Sequence, residues 1–232
     1  MTTVAIVLAG GSGSRMGRDD NKVFAAVCGR PLLAWATRTF GTAPSIDELI
    51  IVARVGERDR VAAVLRDDDL DLPVHVVTGG ATRQDSERAG LDLVSRGGGP
   101  HAVEVVLIHD AARPFATTDL IEQVVHTTAT VGGAAPALPL GDGVYRIGAD
   151  GRLTAQPGDL FGMQTPQGFR ADALLDAHRR ATDEGFGGVD TTETVQRYAA
   201  LAVAIVPGEP DNIKVTFADD LAAAERIAAR RP

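Results

Sequence analysis

The sequence predicts an α/β fold with a doubly wound, mostly parallel sheet and a β-hairpin inserted late in the chain. Three observations predict it. Short apolar runs rich in valine, isoleucine and alanine recur along the 232 residues. Runs of four to six such residues suit strands buried on both faces of a parallel sheet. Helical patterns with start signals lie between them, and regular alternation of strand and helix covers a sheet on both sides. Polar, glycine-rich clusters follow directly on several runs, which is where open α/β sheets hold ligands.

In chain order, the first run is "VAIVLA" (4–9), which leads into "LAGGSGSRMGRDDNK" (8–22). This loop departs from the dinucleotide fingerprint, because Met16 stands where a glycine or alanine is expected after Gly11 and Gly13. It also lacks the Gly-Lys-Ser/Thr that closes a P-loop. What remains is exposed backbone N–H with Arg15 and Lys22 close by, a combination suited to phosphate. Pro31 is placed to open a helix through Phe40. "LIIVA" (49–53) and "VHVV" (74–77) are the next strands. After the second comes "GGATRQDSE" (79–87), where Gly79, Gly80 and Ala81 leave room for a flat base and Arg83 and Ser86 offer polar contacts.

A glycine cluster at 97–99 reads as a surface loop. "VEVVLI" (103–108) then runs into "HDAARPF" (109–115), where Asp110 is placed to hold magnesium and Arg113 to meet another phosphate. Thr117 and Thr118 are cap candidates for a helix striped by Leu120, Ile121, Val124 and Val125. "GAAPAL" (133–138) is a strand. "VYRIGADGRLTAQ" (144–156) holds two extended stretches around "GADG", a hairpin expected to reach over a ligand or a second subunit. "LAVAIV" (201–206) is the last strand, and in "DNIKVT" (211–216) apolar neighbours hold Lys214 with its head aimed at a pocket. "TFAD" (216–219) matches a capping box before a helix faced by Leu221, Ala224 and Ile227.

Bulk composition narrows the function classes. A net charge of −8 and a pI of about 5.1 argue against a broad nucleic-acid-binding face. Cys28 is the only cysteine, so there is no intrachain disulfide or multi-cysteine metal site; it is expected as a small buried residue. The N-terminal apolar run is too short for a membrane span or signal peptide, and the chain is expected to be cytoplasmic. Residues 1–232 are expected to form one domain, with 141–157 as a protruding arm.

"LAGGSGSRMG" with Lys22, "HDAARP", "QTPQGF" (164–169) and "DNIKVT", in this order and spacing, resemble the methylerythritol phosphate cytidylyltransferases of the non-mevalonate isoprenoid pathway. The resemblance spans essentially the whole chain. The ribitol-5-phosphate cytidylyltransferases are close relatives, and "LAGG" is nearer to their pattern. The resemblance implies a Rossmann-like nucleotidyltransferase fold and a homodimer with crossing arms. It implies a reaction in which CTP and a polyol phosphate, foremost 2-C-methyl-D-erythritol 4-phosphate, give a CDP-polyol and pyrophosphate, with Mg²⁺ as cofactor. It also implies roles. Arg15, Lys22 and Lys214 would stabilise charge on the reacting phosphates. Ala9, Gly10, Gly11 and Gly13, with Gly80, Ala81, Arg83 and Ser86, would bind the nucleotide. Asp110, Ala111, Arg113 and Thr165 would meet the acceptor, and Asp110 would also carry Mg²⁺.

The acceptor half departs from the family pattern. No arginine stands shortly before "QTPQ", Gly143 replaces a threonine, and "VDTTET" (189–194) replaces Thr-Asp-Glu-Ala. Arg146 or Arg152 of the hairpin is a candidate for the missing cation. Three other readings stay open at this level: a ribitol phosphate acceptor, a nucleotide-binding protein without turnover, and a sugar-1-phosphate nucleotidyltransferase using UTP or GTP. Cations on both sides of the α-phosphate disfavour the second, and "DNIKVT" disfavours the third.

Overall fold

The computed structural model of the chain describes residues 1–11, 20–66, 68, 70–96, 102–141, 143–156 and 158–231. Gly13, Arg15 and the glycine cluster at 97–99 lie outside the described residues. The first half alternates as the sequence predicts: β1 (Thr2–Leu8), two short strands β2 (Ala26–Val27) and β3 (Arg30–Pro31), α1 (Leu32–Thr42), β4 (Glu48–Ala53), α2 (Arg58–Arg66), β5 (Val74–Thr78), α3 (Arg83–Arg96) and β6 (Val103–Asp110). Then come α4 (Thr118–Val131), β7 (Gly133–Pro139), β8 (Tyr145–Ile147), β9 (Leu153–Ala155), β10 (Phe161–Met163), β11 (Gln167–Arg170), α5 (Ala171–Asp183), α6 (Thr191–Tyr198), β12 (Val203–Pro207) and α7 (Ala218–Ala228).

Strands β6, β1, β4 and β5 pair in parallel, and β12 pairs in parallel with β7. Within this sheet, among the described residues, β10 and β11 run against their neighbours, filling the edge of β7 that faces β6. Period-two alternation divides each central strand between two cores. Ala5 and Val7, Leu49 and Ile51, and Val105 and Leu107 pack with Leu33, Phe40, Val61 and Val124 from α1, α2 and α4. Val4 and Ile6, Ile50 and Val52, and Val106 and Ile108 pack on the opposite face with Leu91, Leu174 and Val195 from α3, α5 and α6. Gly90 lets α3 sit close to β1, because a Cβ there would lie 2.7 Å from Cγ2 of Ile6. Burial on both faces holds for the central strands only. The edge strands β5 and β12 are half-exposed, since each has a single neighbour.

Helix starts follow local chemistry. Thr117 caps α4, its hydroxyl accepting from Leu120 N at 3.1 Å. Pro31 is the residue before α1, extended at ψ 146°, so the helix begins one residue later than expected. The box before α7 is also displaced by one: Asp220, not Asp219, accepts from the backbone N–H of Thr216 and Phe217. Cys28 is exposed rather than buried. It occupies a turn with φ 48°, and its thiol lies 3.0 Å from Oε2 of Glu225, a contact that raises the thiol pKa. The hairpin forms as expected from β8 and β9, closed by Gly148 N–H donating to the Arg152 carbonyl at 2.9 Å.

Candidate functional site

The carboxyl ends of β1, β4, β5 and β6 surround a cavity of about 760 Å³, within the range of small-molecule sites. Its walls come from Gly10 and Gly11 after β1, Arg54 and Val55 after β4, Gly79–Arg83 after β5, Ser86 on α3, Asp110 at the end of β6, and the two lysines Lys22 and Lys214. The glycines shape it. A Cβ on Gly80 would fall 2.2 Å from Cβ of Asp85, and one on Gly79 would fall 2.7 Å from Oγ of Ser86, so side chains there would force the start of α3 away from β5.

Lys22 and Lys214, far apart in sequence, meet here. Asn21 anchors the first: it is buried, its amide donates to the carbonyl of Ala9 and to Glu57 Oε2 at 2.7 Å each, and its oxygen accepts from Val23 N–H. Lys22 then reaches across to donate to the Val215 carbonyl at 2.7 Å. The adjacent Lys214 donates to Asp110 Oδ2 at 2.6 Å, while Arg83 Nη2 donates to Asp110 Oδ1 at 3.3 Å. Burial alone would raise the Asp110 pKa; Arg83 and Lys214 outweigh it and hold the carboxyl well below the usual range. For Arg83, burial works against the charged form, but Glu87 and Asp110 prevail and raise its pKa.

The remaining polar motifs brace these groups. His109 is fully buried, and burial lowers its pKa to about 4. A neutral imidazole must donate through Nε2 to the Arg113 carbonyl at 2.9 Å, so Nδ1 accepts from the Thr165 hydroxyl at 3.0 Å. Thr165 Oγ1 in turn accepts from Asp110 N–H at 3.1 Å. Gln164 and Asn212 lace "QTPQGF" to "DNIKVT": Gln164 Nε2 donates to the Glu209 carbonyl at 2.8 Å and Asn212 Nδ2 to the Thr165 carbonyl at 2.9 Å. Motifs separated in sequence thus form one bracket that sets Lys214 against Asp110.

Of the expected site residues, the structure gathers Gly10, Gly11, Lys22, Gly80, Ala81, Arg83, Ser86, Asp110 and Lys214 around the cavity. Four lie elsewhere. Ala9 is fully buried, with its N–H donated to Val52 O at 2.8 Å and its carbonyl bonded to Asn21, so neither group faces the cavity. Ala111 is buried and gives its N–H to Leu8 O. Thr165 is committed to His109 and Asp110. Arg113 is absent from the cavity lining and donates to the Asn212 and Met163 carbonyls at 2.8 and 3.1 Å. Arg146 and Arg152 lie on the exposed hairpin, and Arg152 faces Asp150 at 3.6 Å. Asp190 caps α6 and receives Gln167 Nε2 at 2.8 Å. Sequence reasoning missed Arg54, whose only signal is a charge directly after a buried run.

Three comparisons with known proteins agree. The family described as 2-C-methyl-D-erythritol 4-phosphate cytidylyltransferase matches residues 3–230. A protein of that name from Cereibacter sphaeroides is 40% identical, covering 99% of this chain and 98% of the relative. Another from Bacillus velezensis is 36% identical over 98% and 96%. The crystal structure of 4-diphosphocytidyl-2C-methyl-D-erythritol synthase from Anaerococcus prevotii superposes with a TM-score of 0.84 at 27% identity, covering 99% of both chains. That of the cytidylyltransferase from Thermus thermophilus gives 0.77 at 29% identity, covering 99% of this chain and 100% of the other.

Proposed function

The chain belongs to the 2-C-methyl-D-erythritol 4-phosphate cytidylyltransferase family, and from that premise we infer that it converts CTP and 2-C-methyl-D-erythritol 4-phosphate to 4-diphosphocytidyl-2-C-methyl-D-erythritol and pyrophosphate. A phosphate oxygen of the acceptor attacks the α-phosphorus of CTP, and the bond to the β-phosphate oxygen breaks as pyrophosphate leaves. No covalent enzyme intermediate is needed, so catalysis is positioning and charge stabilisation. The observation that carries this reading is the convergence of Lys22, Lys214, Arg83 and Asp110 on one cavity whose glycine walls admit a flat base. Lys22 and Lys214 offset the charge that grows on the phosphates, joined by Arg15. Gly80, Ala81 and Ser86 border the base. The reading places the enzyme in the cytoplasm, where CTP is made. Pyrophosphate release with CTP against UTP tests it: CTP is preferred strongly, and equal turnover of UTP contradicts it.

Asp110 is the one carboxylate among the described residues that line the cavity. That suits Mg²⁺, which takes one or two carboxylates and completes its shell with phosphate oxygens and water. Asp110 would hold the ion together with the triphosphate, and the bound ion supplies neutralisation of phosphate charge. The hairpin supports a homodimer. Tyr145, Ile147 and Leu153 on its two strands are 54%, 71% and 64% exposed, an apolar arm that a second copy of the chain would cover.

A further inference from the structure

Behind the cavity wall a second charged cluster backs onto Arg83. Glu87, one helical turn along α3, is 2% exposed, and His178 of α5 is 3% exposed. A carboxylate at that depth needs partners, and among the described residues Glu87 has two hydrogen-bond donors, Arg83 and Thr191. Arg83 Nη1 is bonded to its Oε1 and the Thr191 hydroxyl donates to the same oxygen at 2.9 Å, while His178 Nε2 packs 3.1 Å from its Oε2 without hydrogen-bond geometry. Thr191 Oγ1 also accepts from Arg83 Nη1 at 3.2 Å. The other guanidinium nitrogen, Nη2, meets Asp110 Oδ1, and Lys214 holds Oδ2. Charge therefore alternates through Lys214, Asp110, Arg83 and Glu87. Glu87 and His178 are absent from the cavity lining, so their effect on it passes through Arg83.

We propose that Glu87, braced by Thr191, is a positioning residue for the nucleotide site: it fixes the plane of Arg83 so that one nitrogen meets Asp110 and the second carboxylate oxygen stays with Lys214. This rests on the reading that the cavity receives CTP. A guanidinium is a rigid planar fork. Pinned at Nη1 from behind, it presents only Nη2 toward Asp110. Without Glu87 the fork closes on Asp110 with both nitrogens, the arrangement arginine and carboxylate favour. Lys214 then loses its partner, and the cationic edge that faces the phosphates is displaced.

A double-mutant cycle tests this, with CTP affinity measured by titration calorimetry and kcat/KM by pyrophosphate release. Glu87→Gln keeps the side-chain shape and weakens CTP binding about tenfold, the scale of one charge-assisted hydrogen bond. In an Arg83→Ala background the same substitution changes affinity less than about twofold, because the residue through which it acts is gone. An equal loss in both backgrounds assigns Glu87 to fold maintenance and overturns the proposal. Unchanged or tighter CTP binding by Glu87→Gln overturns it as well. Thr191→Val removes the hydroxyl at nearly constant volume and gives a smaller loss that also vanishes without Arg83; if Glu87→Gln does not fold, this variant decides alone. Affinity is read on unreacted CTP, so failure of turnover with the polyol phosphate counts against the reaction and leaves the cycle decisive. A wild-type chain that does not bind CTP overturns both.

Discussion

Replacing Lys214 with methionine keeps most of the side-chain length and removes the charge that faces Asp110 Oδ2 at 2.6 Å. The magnitudes for folding and for turnover differ. Orphaning a fully buried charge costs about 3–5 kcal/mol, but Lys214 is 39% exposed and Arg83 remains beside Asp110. The expected loss of stability is therefore only about 1–2 kcal/mol, a fall in Tm of roughly 2–8 °C for a chain of this size. Loss of a preorganised electrostatic donor at a reacting group lowers kcat by about 10²–10³-fold. Most of the variant stays folded at 25 °C while its turnover collapses. Adding Asp110→Asn removes the carboxylate that Lys214 no longer balances and recovers Tm without recovering kcat. Thermal melts and pyrophosphate release at saturating CTP measure both quantities. A Lys214→Met enzyme with kcat within threefold of wild type, or recovery of kcat in the double variant, would refute the reasoning.

His109 makes stability depend on pH. Its folded pKa of about 4 lies below the 6.5 of an unfolded histidine, so the unfolded chain gains the proton first as pH falls. Its contribution is intact above pH 6.5 and is lost between 6.5 and 4, about 3 kcal/mol in all; urea titrations of wild type and His109→Gln at pH 7 and 4.5 check this, and a wild type with no greater loss than the variant contradicts it. Deleting residues 143–156 converts dimers to monomers in light scattering and weakens acceptor use more than CTP affinity; a full-length chain that is monomeric at micromolar concentration removes the basis for that role. Chelation of Mg²⁺ abolishes turnover, and Asp110→Asn raises the Mg²⁺ concentration needed for half-maximal rate; turnover unaffected by EDTA excludes the ion.

The central sheet and the cavity's near side were legible because their signals are local. "VAIVLA", "LIIVA" and "VEVVLI" carry their own burial pattern, Asp110 closes a strand, and Gly10 and Gly80 stand two residues past strand ends. The site's bracing was less legible because it depends on register and long-range approach. Ala9 looks like part of a phosphate loop, yet parallel pairing of β1 with β4 gives its N–H to Val52. Thr165 and Arg113 carry polar groups suited to an acceptor, but His109 and the carbonyls of Asn212 and Met163 occupy them. Glu87 four residues after Arg83 is a readable helical pair; its contact with His178 required α5 to pack against α3. Cys28 was misread because the chain turns there with positive φ and turns its thiol toward Glu225 on the surface.

The most direct test of the central claim is acceptor competition. The full chain is given CTP, Mg²⁺ and an equimolar mixture of 2-C-methyl-D-erythritol 4-phosphate and ribitol 5-phosphate, and the cytidylated products are weighed by mass spectrometry. The account predicts 4-diphosphocytidyl-2-C-methyl-D-erythritol as the dominant product, with pyrophosphate in equal amount. Preferential formation of CDP-ribitol, or no cytidylated product from either acceptor, contradicts it.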